Sequence, residues 1–274
     1  MNIQSILEKM INAGIEEQEA KKEIKMLLEH FCNYTEMDKI RGIKLDEIQI
    51  STLLARVEER IKDRKPIQHI IGEAYFMGEF FKVTPDVLIP RDETEILVSK
   101  AIEIIKQNNL KNILDIGTGS GCIACTIAKR TNTTVLGVDI SSDALRIALD
   151  NVTRLGINNK AVFRKSDLFS KVREDESFDM IVSNPPYIPI GEKLEPEVMH
   201  EPQIALFAED NGLAIYKKII QDAPKYLNNN GFLMFELGIN EAEAIKELMQ
   251  KDFCEIDIIK DLAGIDRVIY GMLK

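Results

Sequence analysis

The chain has 274 residues, of which 45% are hydrophobic, and its formal net charge is −10. This length and composition support a packed core in one large domain or two smaller ones. The charge argues against a direct nucleic-acid partner, because such proteins usually carry basic surfaces that displace phosphate counterions, and the chain has no Lys/Arg cluster of that kind.

The amino-terminal segment Met1-Asn2-Ile3-Gln4-Ser5 lacks the basic start and the apolar core of a signal peptide. No stretch reaches the roughly 18 uninterrupted apolar residues of a membrane span. The four cysteines do not form the pattern of a disulfide framework. We therefore expect a cytoplasmic protein with no membrane partner, and we also expect it to be a monomer.

Residues 1–70 are predicted to form a small helical domain. Charged residues face away from three runs of apolar residues at helical spacing. These runs are Ile3, Ile6, Leu7, Met10 and Ile11, then Ile24, Leu27, Leu28 and Phe31, then Leu53, Leu54, Val57 and Ile61. Such a bundle is a structural module or a docking surface for a substrate.

The helical spacing of apolar residues is lost at residues 71–91, which predicts a linker. Short extended runs around Gly78 indicate a β-hairpin between the helical domain and the rest of the chain. Asp92 is predicted to be the N-cap of the next helix, with Glu95 three residues further on as in a capping box.

Residues 92–274 alternate between helical and extended patterns. This alternation predicts an α/β fold, a doubly wound sheet with helices on both faces. Helices are expected at 95–107, 122–130, 143–155, 213–227 and 241–250. Strands are expected at 112–116, 134–138, 161–164, 178–183, 232–237, 255–259 and 268–272. Ligands of such sheets bind at the carboxyl ends of the strands.

Cys122-Ile123-Ala124-Cys125 has the spacing of a redox or metal pair. The three histidines of the chain are not placed at zinc-type spacing from it. We interpret the two cysteines as small apolar residues on one helix face.

A glycine-rich loop closes the first predicted strand of this region, reading Asp115-Ile116-Gly117-Thr118-Gly119-Ser120-Gly121. Glycines there let the backbone turn tightly and lie against a ligand. The next strand ends about 20 residues later in Asp139, whose carboxylate can accept hydrogen bonds from both hydroxyls of a ribose. An adenosine-containing cofactor is therefore expected.

Two cofactors fit these residues. A nicotinamide dinucleotide is usually bound by G-x-G-x-x-G, with its pyrophosphate over a helix N-terminus. Here the spacing is G-x-G-x-G after the acidic Asp115, which would repel a pyrophosphate but suits a cation. The pattern therefore favours S-adenosyl-L-methionine, which carries a sulfonium and an ammonium group, over a dinucleotide.

A second motif, Asn184-Pro185-Pro186-Tyr187, follows the strand predicted to end at Ser183. The prolines hold the backbone extended and remove two N–H donors, leaving a stiff corner rich in hydrogen-bond acceptors. Two acceptors can grip the N–H bonds of an amide or an exocyclic amine and aim its weakly nucleophilic nitrogen at a methyl group. Catalysis would then rest on positioning and electrostatics.

Together these motifs resemble those of S-adenosylmethionine-dependent methyltransferases that modify planar nitrogens. The whole chain resembles the peptide chain release factor N5-glutamine methyltransferase (PrmC/HemK) family. The further matching segments are Val87-Leu88-Ile89-Pro90-Arg91, Glu93-Thr94-Glu95, Glu201-Pro202, Ala205-Leu206, Asp210-Asn211-Gly212-Leu213, Phe235-Glu236-Leu237-Gly238, Asp261-Leu262-Ala263-Gly264 and Asp266-Arg267-Val268.

The resemblance implies a Rossmann-like seven-stranded methyltransferase sheet, with a helical bundle and a hairpin that hold the substrate. It implies methylation of the glutamine in the Gly-Gly-Gln loop of bacterial class I release factors. Asn184 and the Pro185 carbonyl would accept from the glutamine amide, within a substrate site that includes Pro186, and Tyr187 would pack on it. Gly117 to Gly121, Asp139, Asn184 and Leu168 would hold the methyl donor, Leu168 beside the adenine.

Two alternatives stay open at this point. An adenine-N6 nucleic-acid methyltransferase uses the same tetrad, but it would need a basic groove. A non-catalytic interaction protein would hold the cofactor without turnover, and the intact Asn184 argues against that function.

Overall fold

The computed structural model describes residues 3–274. Met1 and Asn2, which begin the segment that lacks a signal-peptide pattern, lie outside the described residues. None of the helices within residues 3–274 has the length and hydropathy that crossing a membrane requires. The chain divides into two compact units. The helical unit comprises residues 3–72 and Leu194–His200, and the α/β unit comprises Glu73–Lys193 and Glu201–Lys274.

The helical unit is built from amphipathic helices whose apolar faces meet in one core. Its helices are α1 (Ile3–Asn12), α2 (Glu17–Cys32), α3 (Glu36–Ile40), α4 (Glu47–Asp63) and α5 (Ile67–Ile71). Capping boxes at Thr35 and Asp46 begin α3 and α4, because each side chain satisfies a backbone N–H that the first helical turn leaves unpaired.

One buried ion cluster lies within this unit. Arg60 of α4 is only 1% exposed, and its guanidinium contacts the Glu23 carboxylate of α2 at 2.9 Å. Its Nη1 donates to Glu197 Oε1 at 2.8 Å, and Arg64 Nε donates to the same oxygen at 2.7 Å. Glu197 belongs to the segment Leu194–His200, so this cluster ties that segment to α4.

The α/β unit contains the predicted α/β sheet, which the structure confirms. Its elements are β1 (Glu73–Phe76), β2 (Glu79–Lys82), α6 (Asp92–Asn108), β3 (Asn112–Ile116), α7 (Cys122–Arg130), β4 (Thr134–Asp139), α8 (Ser142–Leu155), β5 (Ala161–Lys165), β6 (Phe178–Ser183), β7 (Ile188–Pro189), α9 (Gln203–Leu206), β8 (Phe207–Ala208), α10 (Ala214–Asp222), β9 (Leu227–Glu236), α11 (Ala242–Met249), β10 (Phe253–Lys260) and β11 (Asp266–Leu273). A short 3₁₀ helix, Ala223–Lys225, follows α10.

Seven strands form one sheet in the order β10-β11-β9-β6-β3-β4-β5. The strands from β9 to β5 run parallel to one another, and β11 and β10 are antiparallel additions at one edge. Two apolar clusters pack on the two faces of the sheet. Because β3, β4 and β6 are parallel neighbours, their carboxyl ends meet at one edge, which is where the predicted motifs begin.

The β1–β2 hairpin forms around Met77 and Gly78, as predicted. Gly78 has φ of +89° and Met77 has φ of +51°, so the turn uses the left-handed region at both positions. The hairpin belongs to the α/β unit.

The predicted N-cap at Asp92 is wrong. Arg91 is the N-cap and makes no side-chain capping bond, while Asp92 is the first helical residue. The Glu95 carboxylate instead accepts from the backbone N–H of Met77 at 2.6 Å. The Glu95 side chain, which a local capping box would use, is therefore engaged in a tertiary contact with the hairpin.

The strand predicted at 232–237 begins earlier, at Leu227. The polar run Asn228-Asn229-Asn230-Gly231 has the composition of a turn, but in the structure it lies within β9. The register of β9 against β6 shifts between Phe178 and Met180. The extra residues are accommodated as an irregularity inside the strand.

Cys122 and Cys125 lie on the buried side of α7. Burial raises the pKa of the Cys122 thiol to about 12 and raises that of Cys125 as well. Both sulfurs are therefore protonated at neutral pH, and a thiol is a much poorer nucleophile and metal ligand than a thiolate.

Candidate active site

The glycine-rich loop leaves β3 and folds back over the end of β4. The backbone N–H groups of Gly117 and Thr118 both donate to the Val138 carbonyl, at 2.9 and 3.0 Å. Gly117, Gly119 and Gly121 all have positive φ. A Cβ on Gly121 would lie 3.1 Å from both Ala148 Cβ and Phe163 Cζ, so this glycine lets the start of α7 pack closely on α8 and β5.

Asp115 lies beneath this loop. Its Oδ2 accepts from the Thr118 hydroxyl at 2.6 Å, and its Oδ1 has no partner among the described residues. Burial raises the pKa of Asp115 to about 7. Through its hydrogen bond with Thr118, the buried Asp115 side chain fixes the shape of the loop from below.

Asp139 ends β4 at the same edge of the sheet. Its two carboxylate oxygens accept from the backbone N–H groups of Gly119, at 2.9 Å, and Ser141, at 2.8 Å. Burial raises the pKa of Asp139, and the backbone donors oppose that rise. These bonds fix the carboxylate between the loop and the start of α8, with further lone pairs left to accept from a ligand.

The tetrad follows β6 directly. Ser183, the last strand residue, donates its hydroxyl to the Ile116 carbonyl at 2.7 Å, which ties the ends of β6 and β3 together. Asn184 is half-buried and Pro185 is buried. A Cβ built on Gly117 would lie 4.0 Å from the Asn184 carbonyl oxygen, so the glycine loop and the tetrad are immediate neighbours.

A cavity of about 190 Å³ opens at this edge, entirely within the α/β unit. Of the predicted site residues, those that line it are Gly117, Gly119, Asp139, Leu168, Asn184, Pro185 and Pro186. Leu168 has φ of +46°, in the left-handed region that is uncommon for a leucine, and its carbonyl accepts from the Ser166 hydroxyl at 2.6 Å.

Three predicted cofactor residues do not line this cavity. Thr118, Ser120 and Gly121 are buried within the loop and under it. Thr118 holds Asp115, and the Ser120 carbonyl accepts from Asn151 Nδ2 at 2.9 Å. Their role in the structure is to set the shape of the loop.

Tyr187 lines a second cavity, of about 700 Å³. Two glycines make room for Tyr187. A Cβ on Gly212 would lie 2.2 Å from the Tyr187 carbonyl oxygen, and one on Gly238 would lie 2.9 Å from Tyr187 Cδ2. The motifs that contain Gly212 and Gly238 are therefore needed to seat the tetrad.

Glu201 binds the residues before α6 to the segment after the tetrad. Its carboxylate is buried, accepts from the Ile89 N–H at 2.8 Å and pairs with Arg91. Arg267 makes a comparable link, with Asp261 at 2.9 Å and Glu93 at 3.7 Å. Side chains that are far apart in the sequence thus hold the walls of the site.

Sequence reasoning missed two supports of the loop. Asn151 of α8 accepts from the Lys82 N–H at 2.7 Å and donates to the Ser120 carbonyl, so it joins the hairpin to the loop. Gly137 in β4 has no space for a side chain, since its Cβ would lie 2.4 Å from the Phe163 ring. Neither residue stands in a recognisable motif, and both follow from contacts that only the folded chain shows.

A family model described as a methyltransferase domain matches residues 94–265. A release factor glutamine methyltransferase of Fusobacterium nucleatum is 44% identical over 77% of this chain, an alignment that spans 60% of that relative. The same-named protein of Thermodesulfovibrio yellowstonii is 39% identical over 88% of this chain and 89% of its own length.

A solved structure gives independent support for the fold. The 16S rRNA N2 G1207 methyltransferase of T. thermophilus, in complex with AdoMet and guanosine, has a TM-score of 0.56 and 18% identity. The match covers 74% of this chain and 50% of that one, and at this identity it bears on the fold alone. The family model matches more than half of the chain, and a named relative is 39% identical over 88% of it. This chain therefore belongs to the release factor glutamine methyltransferase family.

Proposed function

We propose that this protein transfers a methyl group from S-adenosyl-L-methionine to the side-chain amide nitrogen of the glutamine in the Gly-Gly-Gln loop of bacterial class I release factors. The observation that carries the proposal is the contact between the glycine loop and the tetrad at one cavity. A donor held on the loop would have its methyl group beside Asn184. The names of the relatives supply the substrate.

The charge of the cavity supports this cofactor over a dinucleotide. The lining residues include the carboxylates of Asp86, Asp139 and Asp167, and no Lys, Arg or His is among them in the described part of the chain. A pyrophosphate would meet this negative wall without a cation to balance it. The cationic donor, which supplies an electrophilic methyl group, is favoured there.

Each group of the donor has a matching residue. Asp139 would accept from the ribose hydroxyls, and the Cβ-free Gly117 and Gly119 would let the loop approach the donor closely. Leu168 would pack beside the adenine. Asp115, which does not line the cavity, would act through the loop that it holds.

The tetrad would position the substrate. Asn184 Oδ1 and the Pro185 carbonyl would each accept one N–H of the glutamine amide, and Tyr187 would pack against the side chain. This grip withdraws the nitrogen lone pair from conjugation and aims it at the methyl carbon. The nitrogen would then take the methyl group as the S–CH₃ bond of the sulfonium breaks, with the bonding electron pair left on sulfur, and would release one proton to solvent, so no strong base is required.

The test is a methyl-transfer assay with labelled S-adenosylmethionine and an unmethylated class I release factor. We expect label on the glutamine of the Gly-Gly-Gln loop, mapped by mass spectrometry, and none on a release factor that carries Gln→Ala at that position. Parallel reactions with single- and double-stranded DNA test the adenine alternative. Label on DNA alone would overturn the proposed substrate and keep the proposed cofactor.

We further infer a cytoplasmic location. All four cysteines are free, and three of them are buried. Unpaired cysteines are typical of reducing compartments, where release factors would also be encountered.

A further inference from the structure

A threonine and a glutamate lie directly behind Asn184. Thr94 and Glu236 are each only 2% exposed. The Thr94 hydroxyl donates to Glu236 Oε2 at 2.6 Å, and Asn184 Nδ2 donates to Thr94 Oγ1 at 3.3 Å. The three side chains therefore form a chain of hydrogen bonds from the core to the tetrad.

Three separate elements bring these residues together. Thr94 is in the first turn of α6, and Glu236 is the last residue of β9. Strands β6 and β9 are parallel, with Ser183 opposite Phe235, so Asn184 and Glu236 are the next residues along the two strands. Both Thr94 and Glu236 belong to motifs shared with the family, and the proposed reaction gives neither of them a role.

The direction of the hydrogen bonds follows from the number of protons available. A threonine hydroxyl has one proton, and a carboxylate that is ionised, as Glu236 is above its raised pKa of about 7, can only accept. Thr94 therefore gives its proton to Glu236 and has only lone pairs to offer Asn184. Only the Nδ2 end of the Asn184 amide can meet those lone pairs, which turns Oδ1 away from Thr94.

We propose that Thr94 and Glu236 are positioning residues that select the amide orientation in which Asn184 presents its oxygen to the methyl acceptor. A flipped Asn184 would place its oxygen against the lone pairs of Thr94 and its N–H groups against the N–H groups of the substrate amide. The inference rests on the proposed function, in which the acceptor is a hydrogen-bond donor. Neither residue touches the substrate, so both act through Asn184.

The competing explanation is a structural one, in which the Thr94–Glu236 bond only fastens α6 to the sheet. The two explanations predict different results for Thr94→Val, which keeps the shape of the side chain and removes the hydroxyl. A fastening role would lower stability and leave turnover in the folded protein unchanged. An orienting role would lower kcat in protein that is still folded.

The kinetic experiment compares Thr94→Val with Thr94→Ser. For Thr94→Val we expect kcat to fall about 10- to 100-fold, the range for a lost buried hydrogen bond and a misplaced catalytic group, with the KM for S-adenosylmethionine within about twofold. Thr94→Ser restores the hydroxyl and should stay within about threefold of wild type. Unchanged kcat in Thr94→Val, or no rescue by serine, would overturn the proposal.

Thr126→Val is the matched control. Thr126 lies on α7, is buried like Thr94, and its hydroxyl has no partner among the described residues. The same chemical change there should leave kcat unchanged. In an Asn184→Ala background, Thr94→Val should have no further effect on turnover, because its partner is gone. An additive loss would contradict action through Asn184.

A structural readout separates this inference from the proposed substrate. In crystals that diffract to better than about 1.2 Å, the amide oxygen and nitrogen can be distinguished directly. We expect Nδ2 towards Thr94 in the wild type and both orientations in Thr94→Val. If Thr94→Val folds poorly, Glu236→Leu tests the same point by removing the acceptor. Oδ1 facing Thr94 in the wild type would overturn the inference, whether or not a release factor is methylated.

Discussion

The buried Glu23 of the helical unit and two buried carboxylates at the site of the α/β unit have different kinds of partner, although Glu201 of the α/β unit does pair with Arg91. In the helical unit, the Glu23 carboxylate contacts the guanidinium of Arg60 at 2.9 Å. In the α/β unit, Asp115 and Glu236 are each bound by a threonine hydroxyl at 2.6 Å. Burial raises the pKa of both of these carboxyls to about 7.

The difference indicates what each buried group is for. A charge that only joins two helices is least costly when an opposite charge pairs with it. Asp115 and Glu236 have neutral partners instead, and each lies behind a motif of the site, the glycine loop in one case and Asn184 in the other. Local rules of stability are most often broken at functional sites.

The largest effect is expected from breaking the ion cluster of the helical unit. Arg60→Met leaves Glu23 buried without an opposite charge, and we expect the free energy of unfolding to fall by about 3–5 kcal/mol. The chain has no tryptophan, so far-UV circular dichroism in urea is the suitable measurement. A change below about 1 kcal/mol would show that Glu23 does not need its partner.

Two controls sharpen that result. Lys21→Met removes an exposed pair with Glu17 on the same unit and should change stability by less than about 0.5 kcal/mol. The double variant Glu23→Leu/Arg60→Met removes both charges, and it should recover much of the stability lost in Arg60→Met, because no buried charge is left unpaired.

The next largest effect concerns the tetrad. Asn184→Ala removes one of the two proposed amide acceptors, and we expect kcat to fall about 10²- to 10³-fold. Affinity for S-adenosylmethionine, measured by calorimetry, should stay within about twofold. The exposed Asn229→Ala serves as the control. A loss of cofactor affinity as large as the loss of turnover would contradict the role assigned to Asn184.

The support behind Asn184 also shows where sequence reasoning stops. The bounds of β3 and α7 were predicted to the residue, because an apolar run and a glycine start are local signals. Thr94 and Asn184 are 90 positions apart, and their contact depends on α6 packing beside β9. The motifs that contain Thr94 and Glu236 were recognised from resemblance, but their roles depend on hydrogen-bond geometry.

The wrong N-cap has the same origin. Asp92 and Glu95 have the local pattern of a capping box, yet Glu95 accepts from Met77 in the hairpin. Local propensity was overridden by a tertiary hydrogen bond between elements whose packing the sequence does not reveal. Gly212 and Gly238 can be read from the sequence, but the clash that a side chain at either position would make with Tyr187 is shown only by the folded chain.

The cofactor side of the site offers a smaller effect. Asp139→Ala removes the carboxylate proposed to accept from the ribose, and we expect affinity for S-adenosylmethionine to fall about 10- to 100-fold, as for a lost hydrogen bond to a charged group. Asp143→Ala removes an exposed carboxylate a few residues away and should have no such effect. Equal affinities in calorimetry would show that Asp139 only shapes the loop through Gly119 and Ser141.

The smallest expected effect concerns the ionisation of the Glu236 carboxyl group. Burial raises the pKa of Glu236 from 4.5 to about 7, opposed by the hydrogen bond from Thr94 and by Arg267 and Arg91, and helped by Glu93. Between these two values the folded protein binds a proton that the unfolded chain has lost, so stability falls as pH rises. We expect Glu236→Gln, which cannot ionise, to gain about 1 kcal/mol relative to wild type between about pH 6 and about pH 7 in urea unfolding. A constant difference across that range would mean that Glu236 does not titrate there, and its likeness to Asp115 as a carboxylate held without an opposite charge would then be wrong.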